Sequence, residues 1–323
     1  MGFERRPNPR RLHRLVEELG EIGLILDGSE GWHELAVTEI DYAMRPDVHE
    51  RRVPSVGALI EPMAEPDTWA AATALAIDRR ATAEQGLDSA RHYADGVTSW
   101  LIRRVDGHDE WIVFDRPAGS ERDLLILADA FGAVVVQRHP SSVVRVVGTF
   151  GVFRWDGLTW QHQPLVSAWI DTVGACALYG DREVLQRLLE FAVHDLGARG
   201  VGAILVYRAD AQRAEYREAR LPVPPPLSIG RSTDLAPLRH VLAQIDGANF
   251  FDESGTLTEI GVRLVSSPAA ERDAAGFRGM RHTSGRRYSF DDPTATVIVV
   301  SDDGPVTVFR GGHLLGASAP TFD

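Results

Sequence analysis

The stretch from Asp181 to Tyr207 constrains this chain more than any other. Val184, Leu185, Leu188, Leu189, Ala192, Val193 and Leu196 recur at helical spacing and form one apolar stripe, with Gly197 near its C-terminal end. A run with no polar side chain before Tyr207 then follows, Gly-Ala-Ile-Leu-Val-Tyr over 202–207. A strand with no polar face must be covered on both sides, so it belongs inside a sheet flanked by other elements. The pattern continues with a helix over Asp234–Ile245, with Asp234 as its N-cap, and strands at Asn249–Phe251, Leu257–Val265, Thr296–Val300 and Val306–Arg310. Arg281 to about Phe290 reads as a helix start, and the polar stretch Arg208–Arg220 with Pro222–Pro226 as a loop. The fold class that results is α/β (α+β).

The N-terminal half has its own set of elements. A helix is expected over Arg10–Ile22, followed by strand-like and loop sequence, a strand at Val53–Ile60 and a helix over Asp67–Ile77 capped by Asp67. Trp100–Phe114 reads as two strands joined at Asp106-Gly107. Glu121–Ala130 reads as a buried helix and Gly132–Val136 as a buried strand. Val143–Val147, Val152–Trp155 and Leu158–Trp160 alternate, the last two joined at Asp156-Gly157. All seven tryptophans fall in this half. It is expected to be an independent α+β domain ending near Trp169, regulatory, sensory or dimerising, which divides the chain into 1–170 and 171–323. Arg138-His139 faintly echoes Arg281-His282, but no repeat is convincing.

Composition narrows the chemistry. All 34 basic residues among the 323 are arginine, so mechanisms that need a P-loop lysine, a Schiff base or a lysyl-adenylate are excluded. Phosphate must be handled by arginine, histidine, backbone N–H groups and metal, and arginine's rigid fork suits bidentate phosphate recognition. The net charge of −12 argues against a nucleic-acid backbone as partner. No apolar run approaches the roughly 18–20 residues that span a bilayer. The basic N-terminus is followed by Glu17, Glu18 and Glu21 in place of a signal-peptide core. A cytoplasmic protein without membrane attachment is expected. Cys176, the single cysteine, reads as a small buried hydrophobe.

Three polar stations lie within the apolar sequence of the C-terminal half. Six Asp-Gly pairs occur, and most are turns. Asp246-Gly247-Ala248 differs by following a helix and by leaving little side-chain bulk, so a flat ring or ribose can approach the backbone. Arg281-His282-Thr283-Ser284-Gly285-Arg286-Arg287-Tyr288-Ser289 gathers three arginines, a histidine and three serine or threonine hydroxyls at a helix start, where backbone N–H groups add to anion affinity. Ser301-Asp302-Asp303-Gly304 ends an apolar strand and offers hard oxygen donors of the kind Mg²⁺ and Mn²⁺ prefer.

In order and spacing, Ile245–Gly255, Gly261-Val-Arg-Leu264, Gly279-Met-Arg281-His282 and Val299–Gly304 resemble the diadenylate cyclase (DAC, DisA-type) domain, over about Thr172 to Ala317. The resemblance implies a twisted mixed sheet flanked by helices. It also implies condensation of two ATP molecules into the second messenger cyclic di-AMP across a facing homo-oligomer, with Mg²⁺ or Mn²⁺. It makes Asp246, Arg281 and His282 catalytic and Asp246 and Asp303 metal ligands. Gly247, Ala248, Leu264, Thr283, Ser284, Arg286, Arg287 and Ser301 would line the nucleotide. The family usually carries Arg-His-Arg after Gly-Thr. Here Met280 stands for the threonine and Thr283 for the second arginine, with Arg286 or Arg287 expected to stand in for the missing cation. If neither does, the implied alternative is a nucleotide sensor, for ATP or cyclic di-AMP, without turnover.

Overall fold

The structure, a computed structural model, describes residues 8–26, 28, 30–46, 48, 53–82, 87–167, 170, 173, 182–208, 216–277 and 279–318. Trp169 and Cys176 lie outside them. The chain divides into two compact units, Met1–Leu165 and Val166–Asp323. Val166, Ile170 and Val173 pack into the core of the second unit, whereas the expected boundary lay near residue 170.

The first unit is built on β1 (Val56–Ile60), β2 (Ile77–Ala81), β3 (Ser99–Arg103), β4 (Glu110–Phe114), β5 (Val134–Arg138), β6 (Val144–Gly148), β7 (Gly151–Trp155) and β8 (Trp160–Gln163). They form one sheet in the order β2-β4-β3-β1-β5-β6-β7-β8. Only β1 and β3 pair in parallel there; the other neighbours are antiparallel. Helices Pro9–Glu21 and Glu30–Met44 cover one face, packing Leu15, Leu19, Ile40 and Ala43 on Val56, Ala58 and Val136. Helices Pro66–Thr73 and Glu121–Phe131 cover the other, with Trp69, Leu124 and Phe131 on Leu59, Trp100 and Val135. Neighbouring strand residues thus point into opposite layers, which is why the central strand β1 reads as an unbroken apolar run.

Two expectations are corrected here. Glu30–Met44 is a helix, not strand-like and loop sequence. Its stripe is blurred because Glu39 and Asp41 are buried along with the apolar residues. Arg91 and Arg103 bind Glu39, and Arg11 binds Asp41. Burial of such carboxylates requires partners of this kind. The helix expected over Asp67–Ile77 stops at Thr73, where Ala74 turns left-handed (φ 54°), and Ile77–Ala81 becomes an edge strand. Glu65, not Asp67, is the N-cap.

In the second unit the helix Arg182–Glu190 loosens into a π turn over Phe191–Leu196 and a 3₁₀ turn over Gly197–Arg199. Its strands are β9 (Ala203–Tyr207), β10 (Arg217–Glu218), β11 (Ala248–Phe251), β12 (Leu257–Leu264), β13 (Thr296–Val300), β14 (Val306–Arg310) and β15 (His313–Ala317). The order is β10-β12-β11-β9-β13-β14-β15, with β9 and β11 parallel. Arg182–Glu190 and the turns that follow it, together with Ser232–Leu242, supply one layer, burying Leu188, Phe191 and Leu238 against Leu205, Tyr207 and Ile298. Met280–Asp291 lies on the opposite face, where Tyr288 packs on Phe250, Val297 and Phe309. It lies close because a side chain at Gly285 would meet Val299 at 2.8 Å. This is the mixed sheet flanked by helices that the sequence implied.

Three details differ from expectation. Asp234 does not cap its own helix, which begins at Ser232; its carboxylate accepts from Ser228 N–H at 2.9 Å. The polar loop contains β10, a two-residue pairing with β12. β15 was not anticipated, and its exposed or half-buried side chains carry no strand-like alternation. The chain also has a repeat, contrary to the sequence reading. Adding eight to each number in β2-β4-β3-β1-β5-β6-β7 gives the order of the second sheet.

Candidate functional site

β11 begins where the helix Ser232–Leu242 has ended, and Asp246 stands in that link with its side chain fully exposed. Gly247 is required: its φ is +115°, and a Cβ would sit 2.7 Å from the Gly261 carbonyl carbon on the paired strand. Ala248 is buried on the face covered by Met280–Asp291. Because Ala248 pairs with Val262, Leu264 falls at the same end of β12 as Asp246 falls on β11.

The Met280–Asp291 helix starts at Gly279 with no side-chain cap and no acidic residue in its first turn. Its positive end is therefore not neutralised from within, an arrangement that favours anions. From this turn Arg281 reaches two other stations. Its Nη1 donates to Asp302 Oδ1 at 2.7 Å, and its Nη2 lies 3.7 Å from Asp246 Oδ1. Gly202, just ahead of β9, makes room for this pair, since a Cβ there would fall 1.9 Å from Asp302 Oδ1. The hairpin bearing Asp302 is held from below by the loosened helix end. A side chain at Gly197 would strike the Gly304 carbonyl at 2.5 Å, and one at Gly200 would meet the Asp302 carbonyl at 3.1 Å. The 3₁₀ turn that follows the π turn thus sets the height of the hairpin.

Asp246, Arg281 and Asp302 are thereby brought together from three separate segments. The sequence reading named Asp303 at the third station; Asp302 and Asp303 are both exposed, and it is Asp302 that meets the arginine. Gly202 was missed, although a glycine directly ahead of an unbroken apolar strand was its one signal. Ser301 closes the hairpin, its N–H donating to Pro305 O at 2.9 Å.

The remaining residues of the second station are placed elsewhere. His282 is buried, its ring centroid 5.9 Å from that of Phe277 and 6.4 Å from that of Phe309. Thr283 braces the incoming loop: its hydroxyl accepts from Phe277 N–H at 3.0 Å and lies 3.2 Å from the Phe277 carbonyl. Arg286 donates to Gly312 O at 2.8 Å and Ala275 O at 3.3 Å, and Arg287 to Ala274 O at 3.4 Å. Both are thus tied to backbone carbonyls away from Arg281. Ser284 is half-buried on the same helix. Deeper in, burial pushes the Tyr288 hydroxyl well above its ordinary value, helped by the charge of Asp292, so it stays a neutral donor to that carboxylate.

The donor set of Asp246, Asp302, Asp303 and Ser301 is wholly hard oxygen, which fits Mg²⁺ or Mn²⁺. Among the described residues no group of three or more histidines, cysteines or carboxylates converges on a metal position. No described helix is long and apolar enough to cross a membrane.

Comparison with known proteins places these features. No curated protein sequence matches the chain. Among solved structures, a hypothetical membrane-spanning protein from Bacillus cereus is 17% identical, with a TM-score of 0.37 over 48% of this chain and 72% of that one. A double mutant of DacA from Staphylococcus aureus is 18% identical, with a TM-score of 0.28 over 43% of this chain and 87% of that one. Residues 13–164 match the family described as "Probable sensor domain DACNK". Residues 190–314, which carry Asp246, Arg281 and Asp302, match the family described as "DisA bacterial checkpoint controller nucleotide-binding", and it is over these residues that the chain carries a DAC domain.

Proposed function

We propose that the second unit is a diadenylate cyclase that joins two ATP molecules into cyclic di-AMP and releases pyrophosphate. The observation that carries the reading is Arg281 held between Asp246 and Asp302 at an uncapped helix start. An incoming triphosphate offers Arg281 anionic oxygens in place of the two carboxylates, and the first-turn N–H groups add further donors. Mg²⁺ or Mn²⁺ arriving with the triphosphate supplies charge neutralisation, with Asp246 and the Ser301–Asp303 hairpin as its protein oxygens. Two protomers face each other so that each 3′-hydroxyl meets the other nucleotide's α-phosphorus. The 3′-oxygen–phosphorus bond forms as the bond to the pyrophosphate oxygen breaks, and Asp246 draws the hydroxyl proton. Arg281 stabilises charge gathering on the phosphoryl oxygens. Positioning and electrostatics suffice for such a transfer, and no covalent residue is needed. The requirement for ATP puts the reaction in the cytoplasm, with the first unit as its regulator.

A second reading rests on Thr283, Arg286 and Arg287. Thr283 carries no charge, and both arginines are tied to backbone carbonyls. On this reading the domain binds ATP or cyclic di-AMP without turnover. Incubation of the full chain with ATP and Mn²⁺ or Mg²⁺, followed by mass spectrometry, separates the two. Cyclic di-AMP is the expected product; tight nucleotide binding without product under either metal selects the sensor reading.

A further inference from the structure

The repeat in the fold extends to individual hydrogen bonds. β1–β7 correspond to β9–β15, and the one parallel pair falls at the same place in each sheet. In the hairpin after β5, His139 N–H donates to Val143 O at 2.9 Å and Ser142 N–H to His139 O at 2.8 Å. After β13, Ser301 N–H donates to Pro305 O at 2.9 Å and Gly304 N–H to Ser301 O at 3.0 Å. Ser142 (φ 73°) takes the left-handed position that Gly304 (φ 102°) takes. Val56 pairs with Arg138 as Ala203 pairs with Val300, so Gln137 is the counterpart of Val299. Ala58 pairs with Leu101 as Leu205 pairs with Asn249, so Trp100 is the counterpart of Ala248. Arg138-His139 therefore corresponds to Val300-Ser301, and its echo of Arg281-His282 is accidental.

At the end of the sheet that corresponds to the candidate nucleotide site, the first unit is closed. Trp100, fully buried, fills the place that Ala248 leaves small. Gln137 Nε2 donates to Gly96 O at 2.6 Å and Gly119 O at 3.0 Å, tying the loop before β3 to the start of the Glu121–Phe131 helix. Buried Glu121, in the first turn of that helix, accepts from Arg154 at 2.6 Å. Asp95 is committed to its own loop, accepting from the N–H groups of Val97, Thr98 and Ser99 and from the Thr98 hydroxyl.

At the opposite end, where β1 and β3 finish, a cleft of about 850 Å³ opens. That is the size of a small-molecule site. Trp32, Ile60, Met63 and Phe150 are among its apolar walls, and its charged members are Glu61 and Asp129. None of the described lining residues is basic. Met63 is 78% exposed, so the cleft presents a large apolar side chain to solvent. Glu61 is held in a left-handed conformation (φ 45°), its N–H on Arg103 O at 2.8 Å and its carboxylate accepting from Val105 N–H at 2.6 Å. These two hydrogen bonds fix the Glu61 backbone and side chain at the mouth of the cleft. Aromatic faces beside carboxylates attract an organic cation.

We propose that the first unit is a second copy of the nucleotide-binding fold that has closed the nucleotide end, and that its opposite cleft binds a small apolar molecule bearing one positive charge. Phenethylammonium and 3-phenylpropionate, which share a ring and differ in the sign of their charge, test this by calorimetric titration of the full chain. The cation is expected to bind one per chain, at least about tenfold tighter than the anion. Glu61→Gln combined with Asp129→Asn is expected to weaken it by about tenfold. The amide oxygen that Glu61→Gln leaves in place of the carboxylate can still accept from Val105 N–H, so the melting temperature should hold. Thr149→Trp, at an exposed rim position, is expected to abolish binding by filling the cleft. Equal affinity for both probes, no binding of either, or indifference to both variants overturns the proposal. A non-hydrolysable ATP analogue should bind once per chain; a second nucleotide would overturn the closed end. No nucleotide with amine binding retained would instead remove the cyclase and nucleotide-sensor readings and leave this one standing.

Discussion

Replacing Gly202 with alanine tests the reading of Arg281 without touching a charged group. The added methyl would lie 1.9 Å from Asp302 Oδ1, 2.4 Å from Arg281 Nη1 and 2.9 Å from Arg281 Cζ. All three atoms are at the far ends of flexible side chains, and no backbone atom stands among these nearest neighbours, so the fold should survive while the pair is pushed apart. The pair is largely solvent-exposed and is worth about 0–1 kcal/mol to stability. Gly→Ala stiffens the unfolded chain by about 0.4–1 kcal/mol in the opposite direction. The two nearly cancel, and the melting temperature should scarcely move. Nucleotide binding is different, because a displaced Arg281 forfeits a charge-assisted hydrogen bond to phosphate worth about 1.5–3 kcal/mol. At about 1.4 kcal/mol per factor of ten, Kd for a non-hydrolysable ATP analogue should rise by about ten- to a hundredfold. Calorimetric titration with Mn²⁺ present, beside a thermal melt, reads both quantities. Gly20→Ala, in the first unit, is the control, since nothing lies within 4 Å of a Cβ at that position. Unchanged affinity in Gly202→Ala with stability retained would refute a role for Arg281 in holding the nucleotide.

Asp246→Asn should abolish cyclic di-AMP formation with no loss of thermal stability, because the side chain is fully exposed; full activity by mass spectrometry would remove Asp246 from the chemistry. Gly247→Ala should destabilise the second unit by about 1–3 kcal/mol in a denaturant melt, from strained φ and the Gly261 contact. In the first unit, burial opposes ionisation of Asp95, but hydrogen bonds from the Thr98 hydroxyl and from Ser99, Val97 and Thr98 N–H outweigh it and hold the carboxyl below its ordinary value. Its contribution is therefore present above the unfolded-state pKa of about 3.9 and is lost as pH falls through the lower folded value. Asp95→Ala should cost about 1–2 kcal/mol at neutral pH, shrinking toward acid, and a pH-independent difference would contradict the linkage.

Much of the second unit was legible because its signals are local. The stripe from Val184 to Leu196 and the apolar run into β9 fix a helix beneath a central strand whatever surrounds them. Glu30–Met44 was not legible, since Glu39 and Asp41 look like surface residues until Arg91, Arg103 and Arg11 arrive from elsewhere in the chain. In the site, Asp246 and Arg281 could be picked out by residue type and order. The choice of Asp302 over Asp303 depends on which carboxylate the hairpin turns toward the helix, and no sequence spacing encodes it. Arg286 and Arg287 were recognisable as cations, yet their angular position on the helix sends them to the carbonyls of Gly312, Ala275 and Ala274. The repeat was hidden for a related reason. What is shared is strand order, register and hairpin length, whereas the side chains differ, as Trp100 against Ala248 and Gln137 against Val299 show.

On the proposed reading of the site, the double hold on Arg281 makes it a coincidence detector. A triphosphate alone can take the guanidinium only by leaving Asp246 and Asp302 stranded beside new negative charge. A divalent ion alone can take the carboxylates only by leaving Arg281 facing a cation. When the two arrive together every charge finds a new opposite, so the domain should respond to the metal complex of the nucleotide and stay idle toward either component. Its output would then follow the cell's free divalent-ion level as closely as its ATP.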